Sequence, residues 1–259
     1  MPRNSIAYNR HTRILDLLNA KGAVRVQELS ESLRVSPVTI RRDLDFLNDK
    51  GYLQRTHGGA TMGASLVEAP REERFVEKDV VNVVEKKRIA EKAAELIKDD
   101  EILFMNSGST VLFFLTALRK KRVRVITNNA AALRCDHDPL VELIILGGLY
   151  REQSQSFVGE FALNAIHNIY STTTILGTNG IDIERGLTTS ISQECSINQS
   201  MIENTHGSVI VLADYSKMDK ISNFVSSSLS TVNVIVTDSR CPEDYRRSLA
   251  EAGVRVVVA

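Results

Sequence analysis

Two apolar repeats with helical spacing, joined by a short turn, lie between positions 26 and 49 and constrain the fold more than any other feature. The first repeat is "VQELSESL". The second places Ile40, Leu44 and Leu47 at i, i+4 and i+7, which is the spacing of a buried helical stripe. Ser36 can cap this second helix, and Pro37 suits its first position. Two short helices joined by a tight turn, the second with an N-cap, are typical of a helix-turn-helix.

The outer face of the second helix is predicted to carry short or basic side chains. At about 100° per residue, Val38, Arg42 and Asp45 lie opposite the apolar stripe, and Thr39 and Arg41 flank them. Recognition helices contact base edges near their N-terminus, where the helix dipole adds positive potential. The alternative is a solvated face, in which the nearby aspartates pair with the two arginines.

The stretch "GYLQRTHGGATM" (51–62) is typical of two short strands joined at His57-Gly58-Gly59. Such a hairpin directly after a recognition helix would be a wing, with Arg55 and His57 placed to reach a phosphate or a minor groove. The alternative for His57 is a loop histidine without a partner. The predicted DNA-binding residues are Ser36, Val38, Thr39, Arg41, Arg42, Arg55 and His57.

The charge of the chain is unevenly distributed. Residues 1–62 hold 10 Lys/Arg and 6 Asp/Glu, a net charge of +4, whereas the remainder holds 22 and 26, a net charge of −4. A basic head on an acidic body favours a polyanion, such as double-stranded operator DNA, as the partner of the head.

Several classes of protein are disfavoured by composition. The odd number of cysteines, without a close pair, predicts reduced thiols in a cytoplasm rather than a disulfide framework. The five histidines show no metal-ligand spacing, so we expect no metal and no cofactor. No apolar run approaches the roughly 18 residues that a membrane span needs.

From about residue 83 the sequence alternates apolar strands with helices, beginning "VVEKKRIAEKAAELI", "EILFMN", "STVLFFLTAL" and "VRVITN". Continuous apolar strands indicate burial on both faces, so we predict an α/β fold with a mainly parallel sheet covered by helices. The predicted organisation is a winged helix-turn-helix domain over 1–62, a charged linker over 63–80, and an α/β effector-binding and oligomerisation domain over 81–259.

Small polar residues and glycines follow five of the predicted strands. In a parallel sheet, ligands bind outside the carboxyl ends of the strands. Any one of these loops can be turn chemistry alone, but five at successive strand ends favour a pocket for a polar ligand. The candidate effector-binding residues are Asn106, Ser107, Gly108, Ser109, Thr110, Thr127, Asn128, Gly147, Gly148, Gly177, Asn179, Gly180, Asp214 and Lys217.

The first part of the chain resembles a known family. The run "VQELSESLRVSPVTIRRDLDFLNDKGYLQRTHGGA" is similar to the N-terminal winged helix-turn-helix of DeoR-type bacterial transcriptional regulators, and it is long and ordered. The resemblance implies sequence-specific DNA binding in the cytoplasm. It also implies a homodimer or homotetramer, as does the weak binding expected of one winged head alone.

The body resembles the same family, so the match covers nearly the whole chain. "TNN", "LGGLYREQSQSFVG", "GTNGIDIERGLTT" and "ADYSK" match its elements, and "NSGST" stands where the family usually has "D.GTT". The resemblance implies an effector domain similar to ribose-phosphate isomerases that binds a phosphorylated sugar or a derivative. It places phosphate at 107–110 and a phosphate or sugar oxygen at Lys217. It also implies that Asp214, Asn128 and Asn179 form hydrogen bonds with sugar hydroxyls. Asn106 stands where the family usually has a carboxylate.

Three functions are left open. The first is a transcriptional regulator, a repressor of a carbohydrate operon tuned by a sugar phosphate. The second is a sugar-phosphate isomerase or deaminase with an accessory DNA-binding head. That enzyme needs a carboxylate base, and Asp182, Glu194 and Asp214 remain as candidates. The third is a regulator controlled by a protein partner.

Overall fold

The computed structural model describes residues 10–11, 13–14, 17–18, 21–49, 53–56, 58–61, 75 and 81–259. The chain forms two compact units, residues 1–71 and 72–259. The division between them falls inside the segment predicted as a linker over 63–80, of which the structure describes Phe75. His57 lies outside the described residues, so its predicted role stays a prediction.

The first unit contains helices and one small sheet. Its described residues from 10 to 18 are helical and are here called the N-terminal helical segment. They are followed by β1 (Ala23–Arg25), α1 (Val26–Leu33), α2 (Pro37–Asp49), β2 (Gln54–Thr56) and β3 (Gly59–Thr61). The two predicted helices are confirmed. The predicted wing is confirmed as the antiparallel pair β2–β3.

One strand of the first unit was not predicted. β1 pairs antiparallel with β3, with Val24 opposite Ala60, so the sheet order is β1-β3-β2. Three residues carry too little periodicity to identify a strand when its partner lies some 35 positions away. The core beneath this sheet includes Ile14, Leu18, Leu29, Ile40, Leu44 and Leu47. Each fully buried Leu or Ile contributes about 1.5–3 kcal/mol to folding.

The second unit alternates strands and helices, as predicted. Its helices are α3 (Val83–Ala94), α4 (Ser109–Ala117), α5 (Glu160–His167), α6 (Ser192–Glu203) and α7 (Glu243–Glu251). Its main strands are β4 (Ile102–Met105), β5 (Val123–Thr127), β6 (Val141–Ile145), β9 (Ser171–Gly177), β12 (Thr205–Leu212), β14 (Val234–Thr237) and β15 (Arg255–Val258).

These seven strands form one parallel sheet in the order β15-β14-β12-β9-β4-β5-β6. Successive side chains alternate between its faces. Leu103 and Met105 pack with α3 and α4 in one core, and Phe104 packs with α5, α6 and α7 in the other. The predicted α/β fold with a mainly parallel sheet is therefore confirmed.

Short hairpins at the sheet's margin were not predicted as strands. β7 (Leu149–Arg151) pairs with β8 (Ser156–Val158), and β10 (Gly180–Asp182), β11 (Gly186–Thr189) and β13 (Phe224–Ser227) form a third small sheet. The strand order reverses between β4 and β9, because the chain proceeds to one side through β5 and β6 and to the other through β12. This switch point is where open α/β sheets bind ligands.

Among the helices that the structure describes, none is both long and apolar enough to cross a membrane.

Candidate functional sites

The N-terminus of α2 is capped as the sequence predicts. The backbone N–H of Thr39 donates to Ser36 Oγ at 3.2 Å, and the two hydroxyl oxygens lie 2.9 Å apart. Pro37 is the first helical residue, where the absent N–H costs nothing. The cap fixes the start of the helix.

The exposed face of α2 carries two arginines that have no partner among the described residues. Val38 is 55% exposed, and Arg41 and Arg42 are exposed as well. Neither arginine forms a hydrogen bond or an ion pair with any part of the chain that the structure describes. Asp43 and Asp45 do not neutralise these arginines, because they pair with Arg10 and Arg55 instead.

Asp43 ties α2 to the N-terminal helical segment. Arg10 Nε and Nη2 donate to its two oxygens at 2.6 and 2.8 Å, and His11 Nε2 lies 2.8 Å from Oδ1. Burial of Asp43 raises the pKa of its carboxyl, but the hydrogen bonds from Arg10 and His11 outweigh burial and hold that pKa below its usual value. His11 also stacks on Phe46 with ring centroids 5.0 Å apart.

Arg55 ties the wing to α2. Its Nε donates to Asp45 Oδ1 at 2.8 Å, and its Nη1 donates to the Gly59 carbonyl at 2.7 Å. Its backbone N–H donates to Asn48 Oδ1 at 3.1 Å. Arg55 was predicted as a DNA contact. The structure gives its guanidinium two intramolecular partners, so any phosphate must share it with Asp45.

The loops predicted to bind an effector follow five neighbouring strands, β12, β9, β4, β5 and β6, whose carboxyl ends share one edge of the sheet. The sheet thus places the predicted residues together along this edge, here called the effector edge. Its centre lies at the switch point between β4 and β9, with Asn106 after β4 and Gly177 at the end of β9.

Asn106 joins the two central strands of this edge and is almost completely buried. Its Nδ2 donates to the Gly177 carbonyl at 2.9 Å and to Asn198 Oδ1 at 3.0 Å. Its Oδ1 accepts from the backbone N–H groups of Gly177 at 2.9 Å and Gly108 at 3.3 Å. An amide can donate and accept in this way, whereas an ionised carboxylate only accepts. Asn in place of the family's usual Asp is therefore matched by its surroundings.

The two glycines beside Asn106 approach each other closely. A Cβ added to Gly108 would lie 3.2 Å from the Cα of Gly177 and 3.2 Å from a methyl group of Val111. Gly108 occupies the N-cap position of α4, and no side chain that the structure describes caps this helix. The first N–H groups of α4 therefore remain available to an anion at the effector edge.

Lys86 lies beside this helix start, although its sequence pattern was not interpreted as part of a site. It is only 3% exposed, and its Nζ donates to Ser109 Oγ at 3.1 Å. Lys86 precedes Ile89 and Ala90 by three and four residues, so it falls on the buried face of α3. That spacing was the available indication of its burial.

The loop after β12 is shaped by Asp214. Its Oδ1 accepts from the backbone N–H of Ser216 at 3.0 Å and thereby caps the short 3-10 turn Tyr215–Lys217. Asp214 is buried, whereas Lys217 is half-buried and its ammonium has no partner within the described ranges. The turn thus presents a free cation next to a buried carboxylate.

The remaining predicted residues have mixed positions. Thr127 and Asn128 are buried, and Asn128 Nδ2 donates to the Phe157 carbonyl at 3.0 Å, which joins β5 to β8. Asn179 is half-buried and its Oδ1 accepts from the Thr189 hydroxyl at 3.0 Å. Gly147 and Gly148 follow β6, and Gly180 is the first residue of β10.

Two of the carboxylates considered as enzymatic bases are engaged in local structure. Asp182 Oδ1 accepts from the backbone N–H groups of Glu184 and Arg185 at 3.0 and 2.7 Å, in the turn between β10 and β11. Glu194 Oε1 accepts from the Ser156 hydroxyl at 3.3 Å. Within the described residues, no group of His, Cys, Asp and Glu is arranged to hold a metal ion.

A capped recognition helix with a wing, followed by a parallel α/β unit with a polar edge, defines a DNA-binding transcriptional regulator with a sensor domain. A family model described as the DeoR-like helix-turn-helix domain matches residues 10–65, and one described as the DeoR C terminal sensor domain matches residues 81–239. The chain therefore belongs to the DeoR family of transcriptional regulators.

Relatives align over nearly the whole chain. The chain is 35% identical over 254 residues to a putative aga operon transcriptional repressor of Escherichia coli O157:H7, covering 96% of this chain and 93% of that protein. It is 32% identical over 251 residues to the glycerol-3-phosphate regulon repressor of Escherichia coli K12, covering 95% and 97%. Among solved structures, ribose 5-phosphate isomerase a of Methanocaldococcus jannaschii matches at a TM-score of 0.38 and 17% identity, over 53% of this chain and 55% of that chain.

Proposed function

We propose that this chain is a cytoplasmic repressor of a carbohydrate-metabolism operon and that a phosphorylated sugar or sugar derivative controls its binding to operator DNA. The names of its relatives support control of sugar metabolism, and one of them names a phosphorylated three-carbon compound. In this proposal Arg41 and Arg42 contact the operator, and the effector edge binds the phosphorylated compound.

The observation that carries the DNA-binding part is the separation of the charges in the head. Asp43 and Asp45 are occupied by Arg10 and Arg55, so they do not neutralise the outer face of α2. Arg41 and Arg42 therefore keep their full charge beside the positive end of the helix dipole. Phosphate neutralisation supplies much of the affinity of such heads, and contacts to base edges supply the specificity.

The effector part is supported by three groups at one edge of the sheet. These are the start of α4, the Lys86 ammonium on Ser109, and the Lys217 ammonium; in the described part of the chain no side chain caps the helix start, and Lys217 has no side-chain partner. Backbone N–H groups and ammonium ions are the donors that proteins use for phosphate. Neighbouring amides and the Asp214 carboxylate supply donors and acceptors for sugar hydroxyls.

We further infer that the protein is not an enzyme and acts as a homodimer or homotetramer. Asp182 caps a turn, which argues against its use as a base for isomerisation. One winged head makes few phosphate contacts, and pairing two heads on two half-sites is the usual means of reaching specific affinity.

The proposal is tested with an operator duplex that the full chain selects from random-sequence DNA. Addition of glucose 6-phosphate, fructose 6-phosphate, fructose 1-phosphate or glycerol 3-phosphate is expected to change operator binding, and the unphosphorylated compounds are the matched controls. Operator binding that no phosphorylated compound alters would contradict the effector part. Turnover of any of these compounds would contradict the assignment as a non-enzyme.

A further inference from the structure

The start of the second unit is bound directly to the effector edge. Asn82 precedes α3 and has a left-handed backbone, with φ of 53°. Its Nδ2 donates to Asp214 Oδ1 at 3.0 Å, across 132 positions of the chain. A residue close to the segment that leads to the DNA-binding unit therefore shares a hydrogen bond with a residue proposed to bind the effector.

The acceptor in this hydrogen bond is heavily used. Asp214 Oδ1 accepts from Asn82 Nδ2, from the Ser216 N–H at 3.0 Å and from the Ser216 hydroxyl at 2.5 Å. One carboxylate oxygen offers about two lone-pair sites. A sugar hydroxyl that donates to this oxygen must therefore displace a donor that is already there. The two Ser216 groups belong to the same turn as Asp214, whereas Asn82 comes from a distant segment.

Arg240, in the loop after β14, also contacts the start of α3. Its Nη2 lies 3.0 Å from Glu85 Oε1 and 3.3 Å from Asn82 Oδ1. Its guanidinium lies over the Tyr215 ring, 3.9 Å from the ring centroid. The beginning of α3, the loop after β14 and the turn after β12 are thus one connected polar cluster.

A second point of the incoming chain also contacts the effector edge. Phe75 is buried, and its backbone N–H donates to the Gln153 carbonyl at 2.7 Å. Gln153 belongs to the loop between β7 and β8. Farther along that loop, the Gln155 carbonyl accepts from the N–H of Ala130, which begins the 3-10 turn after β5, at 2.8 Å. Phe75 and Asn82 therefore bind loops on opposite sides of the central strand pair β4–β9.

We propose that Asn82 and the effector compete for Oδ1 of Asp214, so that effector binding releases the start of α3 and thereby acts on the segment that joins the two units. This inference rests on the proposed function, in which Asp214 accepts a hydrogen bond from a sugar hydroxyl. The Asn82–Asp214 hydrogen bond then belongs to the effector-free arrangement, and the effector stabilises the arrangement without it.

Removing the Asn82 side chain is expected to favour the effector. Asn82→Gly suits the left-handed backbone at this position. It deletes the competing donor and also the 3.3 Å contact of Arg240 with Asn82 Oδ1, while Arg240 keeps Glu85 as a partner. A hydrogen bond to a charged group is worth roughly a tenfold to a hundredfold change in the equilibrium between the two arrangements. The apparent affinity for the effector rises with the fraction of the competent arrangement, so its dissociation constant is expected to fall by about tenfold or more.

The experiment uses the full chain and, as its probe, whichever of glucose 6-phosphate, fructose 6-phosphate, fructose 1-phosphate and glycerol 3-phosphate most raises the melting temperature. Calorimetric titration gives the probe's dissociation constant, and fluorescence anisotropy gives operator affinity with and without the probe. For Asn82→Gly we expect tighter probe binding and operator release at a lower probe concentration.

Lys120→Gly is the matched control, because Lys120 also has a left-handed backbone, with φ of 56°, and an exposed side chain. It is expected to behave as the parent. Weaker or unchanged probe binding in Asn82→Gly, with a parent chain that responds to the probe, overturns the competition and leaves the proposed function standing. If no compound of the panel alters operator binding of the parent, the proposed effector class is wrong and this inference fails with it.

Discussion

Arg10 donates two hydrogen bonds to Asp43, at 2.6 and 2.8 Å, and so joins the N-terminal helical segment to the recognition helix. These two hydrogen bonds attach α2 to the N-terminal helical segment through the Asp43 carboxylate. Asp43 lies three residues beyond Ile40, which belongs to the buried stripe. Arg10→Ala leaves that carboxylate buried with His11 as its remaining partner. We expect a loss of roughly 1.5–3 kcal/mol in the free energy of unfolding of the head.

Denaturant titration, followed by hydrogen exchange of the α2 amides, measures this loss. Arg13→Ala is the matched control, since Arg13 is an exposed arginine of the same helical segment without a partner among the described residues. Equal effects of the two variants would mean that the Arg10–Asp43 pair contributes no stability of its own.

The same pair sets the response of the head to acid. The hydrogen bonds of Arg10 and His11 hold the pKa of Asp43 below its usual value in the folded state. The stabilisation is therefore complete above the ordinary carboxyl pKa of about 3.9 and is lost as the pH falls through the lower folded value. Asp43→Asn should be less stable than the parent at pH 6, and this difference should shrink below pH 4. A constant difference across that range would contradict the assignment.

Arg41 and Arg42 are expected to differ in what they read on DNA. Arg42 lies farther from the apolar stripe, so we predict a base contact in the major groove. Arg42→Ala should lose about 1–3 kcal/mol of operator affinity and relax specificity at one base pair. Arg41→Ala should weaken binding to all sequences and flatten the dependence of affinity on salt.

Binding of both variants to a library of single-base operator mutants, at several salt concentrations, separates these effects. Equal operator affinity and unchanged selectivity in Arg42→Ala would show that the assignment of faces on α2 is wrong.

The helices were predictable from sequence because their patterns are local. Ser36, Pro37 and the stripe at Ile40 and Leu44 lie within nine residues, and each has one physical role at a helix start or on a buried face. The seven main strands were predictable because each is a short, mainly apolar run. The five inner strands are largely buried, whereas the edge strands β6 and β15 keep exposed residues. Strand β1 was not, since three residues pair with a segment far along the chain and their own sequence has no period.

The polar contacts of the candidate sites were harder to predict, because the partner of a charged side chain depends on tertiary structure. Arg55 was predicted to contact DNA, and its sequence neighbours did not reveal that Asp45 and Gly59 share its guanidinium. Lys86 stands in a run of charged residues typical of a solvated face. Only its spacing from Ile89 indicated that it turns inward.

Asn106 provides a test of the central strand pair. Asn106→Asp replaces the Nδ2 donor by an oxygen that faces the Gly177 carbonyl and Asn198 Oδ1, which are 2.9 and 3.0 Å from Nδ2. The Asn198 amide can rotate to donate, but the Gly177 carbonyl then lacks its side-chain donor. The expected cost is about 1–3 kcal/mol in unfolding free energy, as for one unsatisfied buried group.

Asn164→Asp makes the same change on the exposed face of α5 and is the control. If rotation of Asn198 compensates, Asn198→Ala must cost at least as much in the Asn106→Asp background as in the parent, so the loss in the double variant equals or exceeds the sum of the two single losses. A double variant that loses less than this sum would mean that Asn198 does not adapt to the new carboxylate.

Lys217 tests the effector edge itself. It follows β12 in the turn that Asp214 caps, and its ammonium is free among the described residues. If it binds the phosphate or a sugar oxygen, Lys217→Ala should weaken binding of the phosphorylated effector by about 1.5–3 kcal/mol, the range for a hydrogen bond to a charged group. Operator affinity without effector should stay nearly unchanged, because Lys217 belongs to the second unit and its side chain has no described partner to lose.

Lys220→Ala removes an exposed lysine three residues farther along the same loop and should leave effector binding intact. Calorimetric titration of both variants decides the matter, and equal affinities in Lys217→Ala, Lys220→Ala and the parent would place the effector's phosphate elsewhere.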